Sequence, residues 1–363
     1  MELELSLYRY AIPFTEPITV KQQRLVMRDG LVLALTSATE AVTAFGEIAP
    51  LFGLHSETLE QAEAQLVTLF ATPHTTLARI MEAQFYPSVR TGLEMAIHNF
   101  TAARSGALPR FGTTPHNAEQ VPVNALLFGA SNEVVERAER LFTAGYRTFK
   151  LKVNAANSAN AIASIQALHS RFGNAIALRL DANQSFTLND AIAFGKALPD
   201  GSIAYIEEPL QNAERIGDFY AATAIPAALD ETLWQNPALL DIIPTKALAA
   251  LVLKPNRLGG ITVAEKFARY AAERGLLAVV SSAFESGISL GFYAWLAASC
   301  NAEPAACGLD TSRYLAFDVL TTPFPTNTPL LDAAQCYRNS LQVNLATLKP
   351  CAMPQSFRIL MEN

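Results

Sequence analysis

A chain of 363 residues, half of them hydrophobic and 17% charged, is too apolar to remain disordered and long enough for a full barrel plus a second domain. Its formal net charge of −6 leaves no basic footprint for nucleic acid or an anionic membrane. Its longest apolar stretches break well before the ~20 residues that a membrane span needs.

The N-terminus, Met1-Glu2-Leu3-Glu4-Leu5, alternates polar and apolar like a strand and lacks the basic start and apolar block of a signal peptide. Strands are expected over Leu3 to Tyr10, Gly30 to Leu35 and Ala44 to Ile48. Ser56 reads as the N-cap of a helix running to Phe70, with Glu57 and Glu60 in its first turn, and a second helix is expected from Ser88 to Ala103. Strands followed by helices predict a small α+β domain over residues 1–118, with Leu108 to Pro115 as the link out of it.

From Val121 the pattern becomes a strict alternation of short strand and helix. A strand over Val121 to Leu126 precedes a helix over Asn132 to Ala144 that Gly145 closes. Strand 148–153, helix 158–171 and strand 175–181 follow, and the beat continues through a helix over Leu258 to Arg274 and a strand over Leu276 to Val280. Seven units are countable, with an eighth around Ala305 to Leu309, which predicts a (β/α) barrel of the TIM type over residues 119–324. The remaining residues, 325–363, end in the alternating Phe357-Arg358-Ile359-Leu360 and are expected to return to the N-terminal domain as an extra strand. Cys300, Cys307, Cys336 and Cys351 contain no CxxC and no histidine at metal spacing, so they read as reduced thiols of a cytoplasmic protein.

Five short apolar runs carry a charge at the carboxyl end: Lys152, Asp181, Glu207, Asp230 and Lys254, at intervals of 29, 26, 23 and 24 residues. One strand–helix unit takes roughly 30 residues, so these charges fall at successive strand ends and point into one mouth. Strand alternation puts Lys150 on the same face as Lys152, and Arg179 on the same face as Asp181. An inward Arg179 is expected to pair with the carboxylates. The alternative for the lysine pair is a solvated edge strand. In the doublets Glu207-Glu208 and Asp230-Glu231 the first member ends the apolar run and is the candidate ligand; Glu208 and Glu231 suit acids at helix N-termini. Three carboxylates without thiolate or imidazole select magnesium or a similar hard ion. Lys254 enters the mouth opposite Lys152, and the cation, Lys150 and burial are all expected to depress the Lys152 pKa. His98 reads as a core or cap histidine. Gly259-Gly260 offers amides that could hold an anion, or forms a plain turn. Ser281, Ser282, Glu285 and Ser286 follow a strand and are candidate binders of a substrate carboxylate, and Pro50 to His55 form a loop that could fold over the mouth.

Lys150-Leu151-Lys152, Asp181-Ala182-Asn183, Ile206-Glu207-Glu208-Pro209, Asp230-Glu231-Thr232 and Leu253-Lys254-Pro255, with Phe45 to Pro50, resemble the enolase superfamily, muconate-lactonizing subgroup. Arg179 to Asn183, Ser281 to Ser286 and Gly308-Leu309-Asp310-Thr311 are similar to the o-succinylbenzoate synthase family within it. The resemblance implies a barrel with a capping domain, and one Mg2+ held by Asp181, Glu207 and Asp230. It further implies Lys152 as the proton-transfer residue tuned by Lys150, with Lys254 stabilising the intermediate. The activity implied is syn dehydration of 2-succinyl-6-hydroxy-2,4-cyclohexadiene-1-carboxylate through an enediolate.

Racemisation of N-acylamino acids uses the same lysines and stays open. Dipeptide epimerases of the subgroup carry Asp-x-Asp where this chain has Gly308-Leu309-Asp310, which counts against epimerisation. A dead barrel serving as a binding protein is the alternative of another class, and the intact lysines argue against it.

Overall fold

The computed structural model describes residues 2–20, 23–37, 39–70, 74–76, 82–111, 118–351 and 357–360. Strands β1 (Glu2–Val20), β2 (Gln23–Ser37) and β3 (Val42–Ile48) form an antiparallel meander, followed by α1 (Leu59–Phe70), β4 (His74–Thr76) and α2 (Pro87–Ser105). Residue parity in the first two strands decides what each face meets. Leu3, Leu5, Leu7, Leu31, Leu33 and Leu35 bury against Val89, Leu93 and Phe100 of α2, whereas Tyr10, Ile12, Phe14, Val32 and Ala34 belong to the core shared with the barrel. The sheet is therefore apolar on both faces and forms the middle layer. β3 lies directly on α2: a Cβ on Gly46 would stand 1.9 Å from the Gly92 carbonyl oxygen, and one on Gly92 would stand 2.3 Å from Ile48.

The N-cap of α1 is Thr58, not Ser56. Thr58 Oγ1 accepts from the Gln61 amide at 3.2 Å and Gln61 Oε1 accepts from the Thr58 amide at 2.8 Å, a reciprocal capping box. Glu57 instead reaches the start of α2, taking the Ser88 amide at 3.1 Å and its hydroxyl at 2.7 Å. Of the predicted link over 108–115, residues 112–115 lie outside the described residues.

The expected strand over Val121 to Leu126 is divided into β5 (Gln120–Pro122) and β6 (Ala125–Leu127). Pro122 has no N–H to continue a ladder, and β5 pairs with β13 (Leu330–Asp332) outside the barrel. The barrel proceeds through α3 (Ser131–Thr143), β7 (Thr148–Lys152), α4 (Ser158–Phe172), β8 (Ala177–Asp181), α5 (Leu188–Lys196), β9 (Tyr205–Glu207), α6 (Ile216–Thr223), β10 (Ala227–Leu229) and α7 (Glu231–Gln235). It continues with β11 (Leu248–Leu253), α8 (Pro255–Leu258), α9 (Ile261–Glu273), β12 (Leu277–Val280) and α10 (Gly287–Cys300). β6 to β12 form one parallel sheet in sequence order. The segment around Cys307 closes it without being a full strand: Cys307 bridges Val123 and Gly308 bridges Ser281, both in parallel. The single helix expected over Leu258 to Arg274 is broken at Gly259 and Gly260, whose φ of +95° and +128° no helix contains.

After β13, α11 (Ala333–Ser340) packs on α10, while β14 (Lys349–Pro350) and β15 (Phe357–Leu360) pair with β1 and β15 also with β4. His98 sits in an aromatic cluster, 5.1 Å from the Phe111 ring and 6.2 Å from that of Phe292. All four cysteines are free thiols. Among the described residues no helix is long and apolar enough to cross a membrane.

Candidate active site

The lumen is lined by Tyr205, Ala228, Ala250, Val252, Val279 and Ala305, mostly small residues. Two-residue alternation carries this inward face from Tyr205 to Glu207, from Ala228 to Asp230 and from Val252 to Lys254. Register aligns the strand ends: Lys152 stands opposite Asp181 across β7–β8, and Asp181 opposite Glu207 across β8–β9.

The Lys150 ammonium is the hub of this cluster. It lies 3.0 Å from Asp181 Oδ2 and donates to both carboxylate oxygens of Glu207 at 2.8 Å. Burial works against its charge, yet Asp181 and Glu207 outweigh burial and hold its pKa well above the usual range. Burial likewise opposes ionisation of Asp181, but Lys150, Lys152 and Lys254 hold that carboxyl down to about 2. Lys254 donates to Asp230 Oδ2. Burial pushes the Asp230 carboxyl well above its ordinary range, against the downward pull of Lys254. The other oxygen, Asp230 Oδ1, is buried without a partner.

Lys152 occupies the rim. Its side chain is 61% exposed and its Nζ lies 3.7 Å from Asp181 Oδ2, so the expectation that burial acts on it is not met. One two-residue repeat of β7 separates Lys150, whose side chain is 17% exposed, from this rim position. Asn183 holds Lys152: its Oδ1 accepts from Nζ at 2.9 Å while its Nδ2 donates to Glu231 at 3.0 Å. Neither Asn183 nor Glu231 carries a pattern in the sequence that announces this bridge. Glu208, fully buried, faces away from the cluster and takes four donors, from Gln184, from Asp230 and two from Thr232 at the start of α7; burial pushes it up to about 7. Asn183, Gln184 and Glu208 all hold positive φ, +42°, +59° and +43°, so backbone strain concentrates behind the carboxylates.

Arg179 does not pair with the carboxylates as expected. Its guanidinium donates to the Ala306 carbonyl at 2.6 Å and lies over the Tyr205 ring at 5.2 Å, because Lys150 already occupies the space between Asp181 and Glu207. Ser281 lies beside Gly308, and the Ser282 hydroxyl bonds the Gly308 carbonyl at 2.9 Å and the Thr311 hydroxyl at 2.8 Å. Glu285 and Ser286 are buried in the joint with the N-terminal sheet: Glu285 accepts from Asn256 at 2.9 Å, and the Ser286 hydroxyl accepts from the Ile288 amide at 3.3 Å to cap α10.

That joint rests on acids from the N-terminal sheet and α2 set at barrel helix N-termini. Glu47 accepts the Ser286 and Ser289 amides at 2.9 and 3.0 Å, with the Tyr10 hydroxyl also donating to it. Glu94 accepts the Thr262 amide at 2.9 Å at the start of α9. The anion held near Gly259-Gly260 is thus the chain's own Glu94; a Cβ on Gly260 would stand 2.6 Å from it. His55 ties the Pro50–His55 loop to the mouth, with Nε2 donating to the Asn256 carbonyl at 3.0 Å and Nδ1 accepting from the Leu51 amide at 2.9 Å.

Among the described residues no group of three or more His, Cys, Asp or Glu side chains is already arranged around an ion site. The positive charge between the carboxylates is that of Lys150 and Lys254. The residues nevertheless suit a hard cation. Asp181, Glu207 and Asp230 end three neighbouring strands and offer oxygen only, and the unpartnered buried Asp230 Oδ1 is an acceptor awaiting positive charge.

Comparison with known proteins matches residues 133–335 to the family described as enolase C-terminal domain-like and residues 3–100 to that described as MenC, N-terminal domain. The o-succinylbenzoate synthase of Vibrio cholerae serotype O1 is 31% identical over 329 residues, covering 89% of this chain and 93% of the relative. Protein PHYLLO, chloroplastic, of Arabidopsis thaliana is 31% identical over 341 residues, covering 81% of this chain; the chain spans only 20% of that protein's length. A dipeptide epimerase from Enterococcus faecalis V583, solved with Mg and the dipeptide L-Leu-L-Tyr, superposes with a TM-score of 0.78 at 21% identity, over 91% of this chain and 97% of the other.

Proposed function

The chain belongs to the enolase superfamily, within its o-succinylbenzoate synthase family of hydro-lyases, and on that premise we propose that it dehydrates 2-succinyl-6-hydroxy-2,4-cyclohexadiene-1-carboxylate to 2-succinylbenzoate with magnesium. The observation that carries the reading is the array at the strand ends, three carboxylates with Lys150 and Lys254 between them and Lys152 at the rim. The relatives named for this reaction match over nine-tenths of their own length.

Asp181, Glu207 and Asp230 would hold the magnesium ion, whose charge makes the α-proton of a bound carboxylate more acidic. Lys152, in its neutral form, takes that proton from the ring carbon. The electron pair of the broken C–H bond enters the ring, the C–O bond to the hydroxyl breaks, and the Lys152 ammonium returns the proton to the leaving oxygen as water. One amine serving both steps requires hydrogen and hydroxyl to leave from the same face, which makes the elimination syn. Asn183 keeps Lys152 aimed, and Lys254 offsets negative charge from the far side of the mouth. Ser281 and Ser282, beside Gly308, are the candidate donors to the succinyl carboxylate; Glu285 and Ser286 act through the joint behind them. The four free thiols suit a reducing, cytoplasmic setting.

The test is a spectrophotometric dehydration assay with that diene substrate, run with magnesium and again after chelation. Aromatisation that needs the ion supports the reading. Undiminished turnover in chelator refutes the metal assignment, and no turnover under either condition refutes the substrate.

A further inference from the structure

The doublet Glu207-Glu208 divides its work at the end of β9. Glu207 turns inward to Lys150, and Glu208 turns the other way onto the start of α7, where Asp230 is the N-cap. There, Glu208 Oε1 accepts the backbone amides of Asp230 and Thr232, each at 2.7 Å. Its Oε2 accepts the Thr232 hydroxyl at 2.8 Å and Gln184 Nε2 at 3.0 Å. The side chain is fully buried and its backbone is held at φ +43°, a conformation that a glutamate adopts only when the surroundings impose it. The Asp230 amide has this carboxylate as its acceptor, and Asp230 itself sits at the unusual φ −124°, ψ −83°.

We propose that Glu208 is a positioning residue that fixes the main chain of Asp230 and thereby sets the affinity of the carboxylate cluster for a divalent cation. The inference rests on the reading of Asp181, Glu207 and Asp230 as the cation site. Outer partners of metal ligands typically carry about 10–100-fold in affinity. A hydrogen bond to the ligand's backbone makes a specific demand, an oxygen at the right reach. Its charge is secondary, and this separates positioning from simple electrostatic attraction.

The experiment is titration of the full-length protein with Mn2+, followed by electron paramagnetic resonance of the free ion, without substrate. Glu208→Gln keeps a carbonyl oxygen for the two amides and is expected to bind within a few-fold of the wild type. Glu208→Asp keeps the charge but falls one methylene short, and is expected to bind about 10-fold or more weakly, as is Glu208→Ala. The opposite order, with Asp retained and Gln weakened, overturns positioning in favour of charge. Unchanged affinity in folded Glu208→Asp and Glu208→Ala overturns the inference while leaving the proposed reaction standing. A wild type that binds no Mn2+ overturns both. Thermal melts accompany each titration, and should Glu208→Ala not fold, the Asp and Gln pair still decides.

Discussion

Lys150 donates to both carboxylate oxygens of Glu207 at 2.8 Å, and the same nitrogen lies 3.0 Å from Asp181. Removing one partner of a buried ionic cluster leaves the others facing each other without compensation, at a cost of about 3–5 kcal/mol. Lys150→Met is therefore expected to lower the stability of the metal-free protein by roughly that amount. Magnesium should recover part of the loss, because a cation would replace the missing charge. Urea midpoints with and without magnesium measure both effects. A variant as stable as the wild type in chelator would show that Lys150, Asp181 and Glu207 do not form an interlocked unit.

Lys152 makes a different prediction because it sits at the rim, 61% exposed. Its removal exposes no buried charge and opens no cavity. Lys152→Ala should reduce dehydration by at least about 10²–10⁴-fold, the range for loss of a general acid–base group. Melting temperature and Mn2+ affinity should stay close to the wild type. Turnover within tenfold of the wild type would remove Lys152 from the proton transfer. Loss of metal affinity would show instead that it belongs to the structural cluster.

The strand-end charges were legible because strand parity and unit length are set locally, so Lys152, Asp181, Glu207, Asp230 and Lys254 could be placed from spacing and alternation alone. What escaped is decided by distant contacts. Asn183 reads as an ordinary loop residue, yet its amide lies between Lys152 and Glu231, 31 and 48 residues away in the chain. Glu208 suits a helix N-terminus, and it does serve one, that of α7, but from 22 residues away in the chain. Ser56 and Thr58 both satisfy the local rule for an N-cap; Glu57 is drawn to Ser88, and that tertiary bond moves the start of the helix to Thr58. Pro122, by contrast, is a local signal: its missing N–H divides the strand over Val121 to Leu126.

Glu94 accepts the Thr262 amide at the start of α9 from across the joint. An acid at a helix N-terminus combines a capping bond with a favourable dipole, together about 1–2 kcal/mol. Glu94→Ala should lose that much in urea denaturation, whereas Glu94→Gln, which keeps an acceptor, should lose less. Gly260→Ala should be at least as damaging as Glu94→Ala, since its φ is +128° and its Cβ would press on Glu94. Equal stability of all three variants and the wild type would mean that this contact does not help hold the capping layer on the barrel.

His55 gives the joint a dependence on pH whose sign follows from its hydrogen bonds. Nδ1 accepts from the Leu51 amide, so it must be unprotonated, while Nε2–H donates to Asn256. Burial, reinforced by the nearby Arg257 cation, lowers its pKa to about 4, with Glu57 pulling the other way. In the unfolded chain the imidazole titrates near its ordinary value of about 6.5. Above that pH neither state carries the proton, and the titration of His55 adds no pH dependence to stability. As the pH falls from about 6.5 towards 4, the unfolded chain takes up a proton that the folded one refuses, so stability declines by on the order of 2–3 kcal/mol. Below about 4 both states are protonated and this contribution levels off. His55→Leu should be less stable than the wild type at pH 7.5, because the Leu51–Asn256 bridge is gone, yet flatter between pH 7 and 4.5. Parallel slopes for the two proteins in urea denaturation across that window would show that His55 does not titrate as its bonds require.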